Sequence, residues 1–203
     1  FEDSKQIREL VASIRDVRAD LIICVDHEGG RVQRFRKDFT VLPAMQSLGV
    51  LYQNDPQKAE LYSQEMGWLM ASELLAHDID VSFAPILDLD ESFSDIIGDR
   101  AFSNDPDIVI TLAGAFINGM HEAGMTATGK HFPGHGGVKA DSHLELPVDE
   151  RSLEALEQRD IIPYKKLLGQ LDAVMSAHIQ FPAVDEALVS FSPFWIKEYL
   201  KNT

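Results

Sequence analysis

The sequence predicts an α/β fold, a (β/α)8 barrel of which this chain carries part. Short apolar runs alternate with segments of helical period along the chain, and four consecutive runs end on polar or charged side chains. Strand–helix alternation calls for a parallel sheet with helical crossovers. In a barrel the carboxyl ends of all strands meet at one mouth, where chemistry is done, so polar strand ends fit that closure. An open doubly wound sheet would place a G-x-G-x-x-G turn after its first strand, and the DHEGGRVQ found there lacks that spacing.

Each element has its own signal. Residues 4–18 set Ile7, Leu10, Val11 and Ile14 at helical spacing behind Ser4, a candidate cap. LIICVD (21–26) is a continuous apolar run, as in a strand buried on both faces. A long helix is expected from Asp55-Pro56 to His77, with the proline in its first turn. VSFAPILDL (81–89) is the next strand, and residues 105–124 form a helix with an acidic start and a glycine stop. MTATGKHF (125–132) is the third strand, followed by a helix over 152–171 interrupted near Pro163. AVMSAHI (173–179) is the fourth strand, and Ser-Pro opens a last helix over 192–200.

Composition narrows the function classes. With 203 residues and 45% hydrophobic content the chain can bury a core as one domain or most of one. A net charge of −15 argues against nucleic acid as a partner, and the acidic residues are scattered over what reads as a solvated surface. The single cysteine, Cys24, excludes an internal disulfide framework. No apolar stretch reaches membrane-spanning length and no signal-peptide pattern opens the chain, which suits a cytoplasmic enzyme or binding protein.

The strand ends carry Asp26, then Asp88 and Asp90, then Lys130 and His131, then His178. The third runs into KHFPGHGGVKADSH (130–143), which holds three histidines and three glycines. Three readings compete there. A metal site would use His131, His135, Asp141 and His143, although these share no helix face as zinc ligands in H-E-x-x-H do. A histidine-rich loop is the bland reading, since glycine and proline alone explain a turn. A proton-transfer site rests on D-S-H: in extended chain Asp141 and His143 point the same way, and the anion fixes the tautomer of the ring. Asp26 would also suit a turn or cap, Arg34 and Arg100 surface ion pairs, and Phe132 and Phe181 packing.

VDHEGGRVQRF, IGDRAF and KHFPGHGGVKADSH together resemble the family 3 glycoside hydrolases, specifically the bacterial β-N-acetylhexosaminidases of peptidoglycan recycling. The resemblance runs the length of the chain. It implies a (β/α)8 barrel that removes non-reducing terminal N-acetylglucosamine from muropeptide fragments in the cytoplasm, as a monomer, with no metal or other cofactor and no membrane or nucleic-acid partner. By motif, His143 would be the general acid/base and Asp141 its partner. Lys130 and His131 would hold sugar hydroxyls, with Asp26, Arg34 and Arg100 completing the pocket. The family often has glutamine where His27 stands. Its nucleophile is an aspartate in a strand-end motif of the F-S-D-D-L type, which no residue up to Thr203 matches, and its first strand is expected before Phe1. A catalytically inactive sugar-binding fragment and a barrel metallohydrolase are the alternatives. Retaining glycosidases usually pair two carboxyl groups about 5–5.5 Å apart. A histidine acid/base departs from that pattern and avoids a second anion beside the nucleophile.

Overall fold

The computed structural model describes residues 1–91, 96–138 and 147–202. Four parallel strands stand side by side: β1 (Cys24–Val25), β4 (Val81–Ser82), β5 (Thr128–Phe132) and β6 (Ala173–Ser176). β1 pairs with β4 and β5 with β6, while bridges Val81–Thr126 and Ile86–Lys130 join the two pairs. After the short α2 (Gln46–Tyr52), helices α3 (Pro56–Leu75) and α4 (Pro106–Ala123) cross over between strands, as parallel connection requires. They pack so closely that a Cβ on Gly67 would lie 2.1 Å from the Phe116 carbonyl oxygen. Leu87, Leu112, Phe116, Phe132, Tyr164 and Trp195 fill the core behind the strands.

Most elements follow their sequence signals. In α3 the Asp55 carboxylate accepts from the Lys58 amide and Pro56 opens the first turn. In α4 Asp105 caps one end and Gly124, at φ 92°, closes the other in the left-handed region. No described helix is long and apolar enough to cross a membrane.

Four expectations need correction. Helix α1 (Ser4–Val17) is capped by Asp3, which accepts from the Gln6 amide; Ser4 turns inward and donates to Asp38. The run 21–26 is not buried on both faces: Ile22 and Cys24, which share one face, are exposed, while Leu21, Ile23 and Val25 on the other are partly buried. The run 81–89 is regular strand only over Val81–Ser82; past Pro85, which has no amide hydrogen to donate, it stays beside β5 through the Ile86–Lys130 bridge, with Leu87 donating to the Lys130 carbonyl at 2.7 Å. The interruption expected near Pro163 is present: the proline opens a second helix, so the segment divides into α5 (Leu153–Glu157) and α6 (Ile162–Leu167). The last segment winds as a π-helix, Phe194–Tyr199, with Ser192 Oγ accepting from the Trp195 amide.

Two hairpins were not expected: β2 (His27–Gly29) with β3 (Val32–Gln33), and β7 (Gln180–Phe181) with β8 (Asp185–Leu188). Both follow directly on parallel strands, and the first builds one wall of the site.

Candidate active site

Asp26 follows β1 directly and the chain runs straight into β2, so Asp26 and Glu28 lie two residues apart on extended backbone and share a side. Gly29 and Gly30, at φ 102° and 56°, then make a turn that other residues adopt only with strain. Opposite them β5 delivers Lys130, whose buried Nζ donates to Asp26 Oδ1 at 2.9 Å and also meets the Glu28 carboxylate. A 3-10 turn, Gly98–Arg100, brings in Arg100. Its Nε and Nη2 grip Glu28 Oε2 and Oε1 at 2.9 and 2.8 Å, the two-pronged geometry that suits a carboxylate. Arg34 Nη2 stands 4.0 Å from Asp26 Oδ2 on the solvent side.

Burial differs sharply between the two carboxylates. The Glu28 side chain is 3% exposed and that of Asp26 is 40% exposed. Burial alone would push the Glu28 carboxyl up, but the bonds from Arg100 and the Lys130 ammonium outweigh it and hold it below the usual range. Burial also acts upward on Asp26, and Lys130 brings it below its ordinary value. Both acids are therefore anions near neutral pH. Asp26 is the one that opens on solvent, with acceptor capacity for a ligand hydroxyl; Glu28 faces inward and holds the cations.

A second group adjoins the first. Asp88, fully buried, accepts from His131 Nδ1 at 2.7 Å, from the His131 amide at 3.2 Å and from the His135 amide at 2.8 Å. Its burial would raise the carboxyl, and the adjacent His131 with the bonds it donates brings it below the ordinary value. An ionised carboxylate has no hydrogen to give, so Nδ1 carries the ring proton in this bond and Nε2 is left for other partners. His135 packs edge-on against the His131 ring at 5.5 Å, and burial lowers its pKa.

Asp26, Arg34, Arg100, Lys130 and His131 thus converge at the carboxyl ends of β1 and β5. Arg100 is directed at Glu28 rather than making a surface ion pair. Asp141 and His143 lie outside the described residues. His178 is exposed, edge-on to Phe191 at 5.9 Å, and Asp90 accepts from Gln46. Phe132 and Phe181 are buried packing residues, as the sequence suggested. Among the described residues no three His, Cys, Asp or Glu side chains group as metal ligands. Sequence reasoning passed over Glu28 and left Asp88 undecided. For Glu28 the signal was its spacing of two from Asp26 along extended chain; for Asp88 it was a strand end neighbouring that of Lys130-His131.

Residues 1–203 match the glycosyl hydrolase family 3 N-terminal domain. A β-hexosaminidase of Tolumonas auensis is 54% identical over the whole chain, and one of Pseudomonas aeruginosa is 52% identical. The chain spans about 60% of the length of these curated relatives. The crystal structure of NagZ from Neisseria gonorrhoeae in complex with N-trifluoroacetyl-D-glucosamine superposes with a TM-score of 0.94 at 45% identity. That match covers 99% of this chain and 60% of that one. The parallel arc of four strands is accordingly part of a (β/α)8 barrel, and the chain belongs to glycosyl hydrolase family 3, as its N-terminal domain.

Proposed function

We propose that the protein is a retaining β-N-acetylhexosaminidase that removes non-reducing terminal N-acetylglucosamine from peptidoglycan fragments of the GlcNAc-1,6-anhydroMurNAc type, with or without peptide. The observation that carries this reading is the site itself: a half-exposed carboxylate, Asp26, backed by buried Lys130, Glu28 and Arg100 and flanked by His131 on Asp88. Such a wall suits a neutral polyol, since it offers fixed acceptors and donors while its charges are balanced internally. Asp26 and His131 Nε2 accept from sugar hydroxyls, Lys130 donates to them, and Arg34 and Arg100 complete the pocket.

His143 is the proton donor to the leaving oxygen in the first step and the base that activates water in the second, with Asp141 orienting its ring. The nucleophile is assigned to no residue of this chain. The scheme requires no metal, and the protein acts in the cytoplasm as a monomer on a soluble muropeptide. Similarity to β-hexosaminidases supports the activity, and the N-trifluoroacetyl-D-glucosamine complex of the Neisseria gonorrhoeae relative supports the sugar class.

His143→Ala in the full-length protein tests the reading. Cleavage of a glycoside with a poor leaving group should fall by roughly a hundredfold or more. The first step on an activated aryl glycoside should be nearly spared, because that leaving group departs without a proton. Equal losses on both substrates would show that His143 binds rather than transfers protons, and no loss would remove it from the mechanism.

A further inference from the structure

The segment 139–146, which carries Asp141 and His143, is flanked by Gly134–Val138 on one side and Pro147–Asp149 on the other. Both flanks rest on one group of buried charges that the proposed chemistry does not use. Arg151 Nε lies 3.0 Å from both oxygens of Asp149, and its Nη2 donates to Asp149 Oδ2 at 2.7 Å. The same guanidinium donates from Nη1 to Asp160 Oδ2 at 2.8 Å and from Nη2 to Asp160 Oδ1 at 3.1 Å. Asp149 and Asp160 are both buried, the latter in the turn between α5 and α6.

The first flank lies directly against this group. A Cβ on Gly134 would stand 2.7 Å from Asp160, and one on Gly137 would stand 2.2 Å from Arg151 Nη2 and 2.8 Å from Asp149 Oδ2. Between them the His135 amide donates to Asp88, so this flank is also joined to the pocket wall. The second flank is fixed to β7. Gln180 donates to the Pro147 carbonyl at 3.0 Å, and the Asp149 amide donates to the Gln180 carbonyl at 2.9 Å. Arg151 therefore binds an acid of the second flank and the acid against which the first flank packs. A lysine would supply the charge without the planar fork that satisfies two carboxylates at once.

The geometry points to Arg151 as a positioning residue for acid/base catalysis: through Asp149 and Asp160 it holds the two flanks of the Asp141–His143 segment in fixed relation to the Asp88–His131 wall. The inference rests on the reading of His143 as acid/base. Its effect is on proton transfer to the leaving group, where a misplacement of about 1 Å costs on the order of a hundredfold. Sugar binding by Asp26 and Lys130 lies on other elements and should change little.

Arg151→Lys and Gly137→Ala in the full-length protein test it together, since the first removes the fork and the second pushes a methyl group into it. Each should lower kcat on a poor-leaving-group N-acetylglucosaminide by about tenfold or more. Both should leave KM within about twofold and nearly spare the first step on an activated aryl glycoside. Equal losses on the two substrates, or none in whichever variant folds, would overturn the inference and leave Arg151 a structural residue. His143→Ala serves as the parallel control. If it shows the leaving-group split and the two variants do not, the inference fails alone; if it shows none, the reading beneath it fails as well.

Discussion

The two ends of the strand arc hold histidine–aspartate pairs of nearly equal length in opposite surroundings. At the carboxyl ends, His131 and Asp88 are 2.7 Å apart with side chains 17% and 0% exposed. At the amino ends, His121 and Asp172 are 2.8 Å apart and 39% and 43% exposed. Aspartates serve the backbone at both ends, since Asp172 accepts from the Ala127 amide as Asp88 does from that of His131. Asp80 does the same for the Ile23 amide while binding Arg15. What separates the ends is desolvation: the same groups that fasten strand starts in solvent become, where water is excluded, a charged lattice whose members cannot be removed singly. Pair length alone does not tell a barrel's stabilising face from its chemical one; burial does.

The sharpest way to break this contrast is to remove one buried charge. Glu28→Gln preserves volume but leaves Lys130 and Arg100 without the carboxylate that both bind. Loss of one partner from a buried ion pair costs about 3–5 kcal/mol. Urea denaturation of the full-length variant should show a loss of that order, and titration with N-acetylglucosamine should show weakened binding. A loss below about 1 kcal/mol, the range of exposed pairs, would mean the two ends do not differ.

His27 sharpens the contrast through pH. It is buried beside Phe35 and Phe39, at ring distances of 5.7 and 5.9 Å, and among the described residues its Nδ1 has no hydrogen-bond partner. Burial, with Arg36 nearby, lowers its pKa from 6.5 to about 4. The unfolded chain therefore takes up a proton that the folded one refuses. Stability is fully present above pH 6.5 and is lost as the pH falls from there toward about 4. At 1.36 kcal/mol per pH step this reaches about 2 kcal/mol at pH 5. His27→Gln should abolish that part of the slope, leaving the smaller one from His135, whose pKa burial also lowers. Unfolding midpoints of variant and parent at pH 7 and pH 5 decide it, and parallel slopes would count against His27.

Much of this was legible in the sequence. Pro56, Gly124 and the acidic caps mark helix ends because they act within one turn. Lys130, His131 and Asp26 were legible because a strand end is itself a location in a barrel. For Glu28 the spacing from Asp26 marked only the side it shares; its role exists only when β5 and the Gly98–Arg100 turn arrive beside it from 72 to 102 positions away. The half-exposed first strand was missed for the same reason: an apolar run reports what it can bury, not what packs over each of its faces. The ties between Arg151, Asp149 and Asp160 were likewise invisible, because D-E-R beside a helix start looks like ordinary surface charge.

The smallest effect is expected at the amino ends. Asp172→Asn keeps a carbonyl oxygen to accept from the Ala127 amide and removes only the charge facing His121. That pair is solvated on both sides, so water replaces what the substitution takes away, and exposed pairs are worth well under about 1 kcal/mol. Catalysis has no reason to change, because the site lies at the opposite ends of β5 and β6. The melting temperature should therefore shift by no more than a few degrees, and kcat/KM should stay within about twofold of the parent. A tenfold fall in kcat/KM with the fold intact would show that the exposed end is coupled to the chemistry. Burial would then no longer be what distinguishes the two histidine–aspartate pairs.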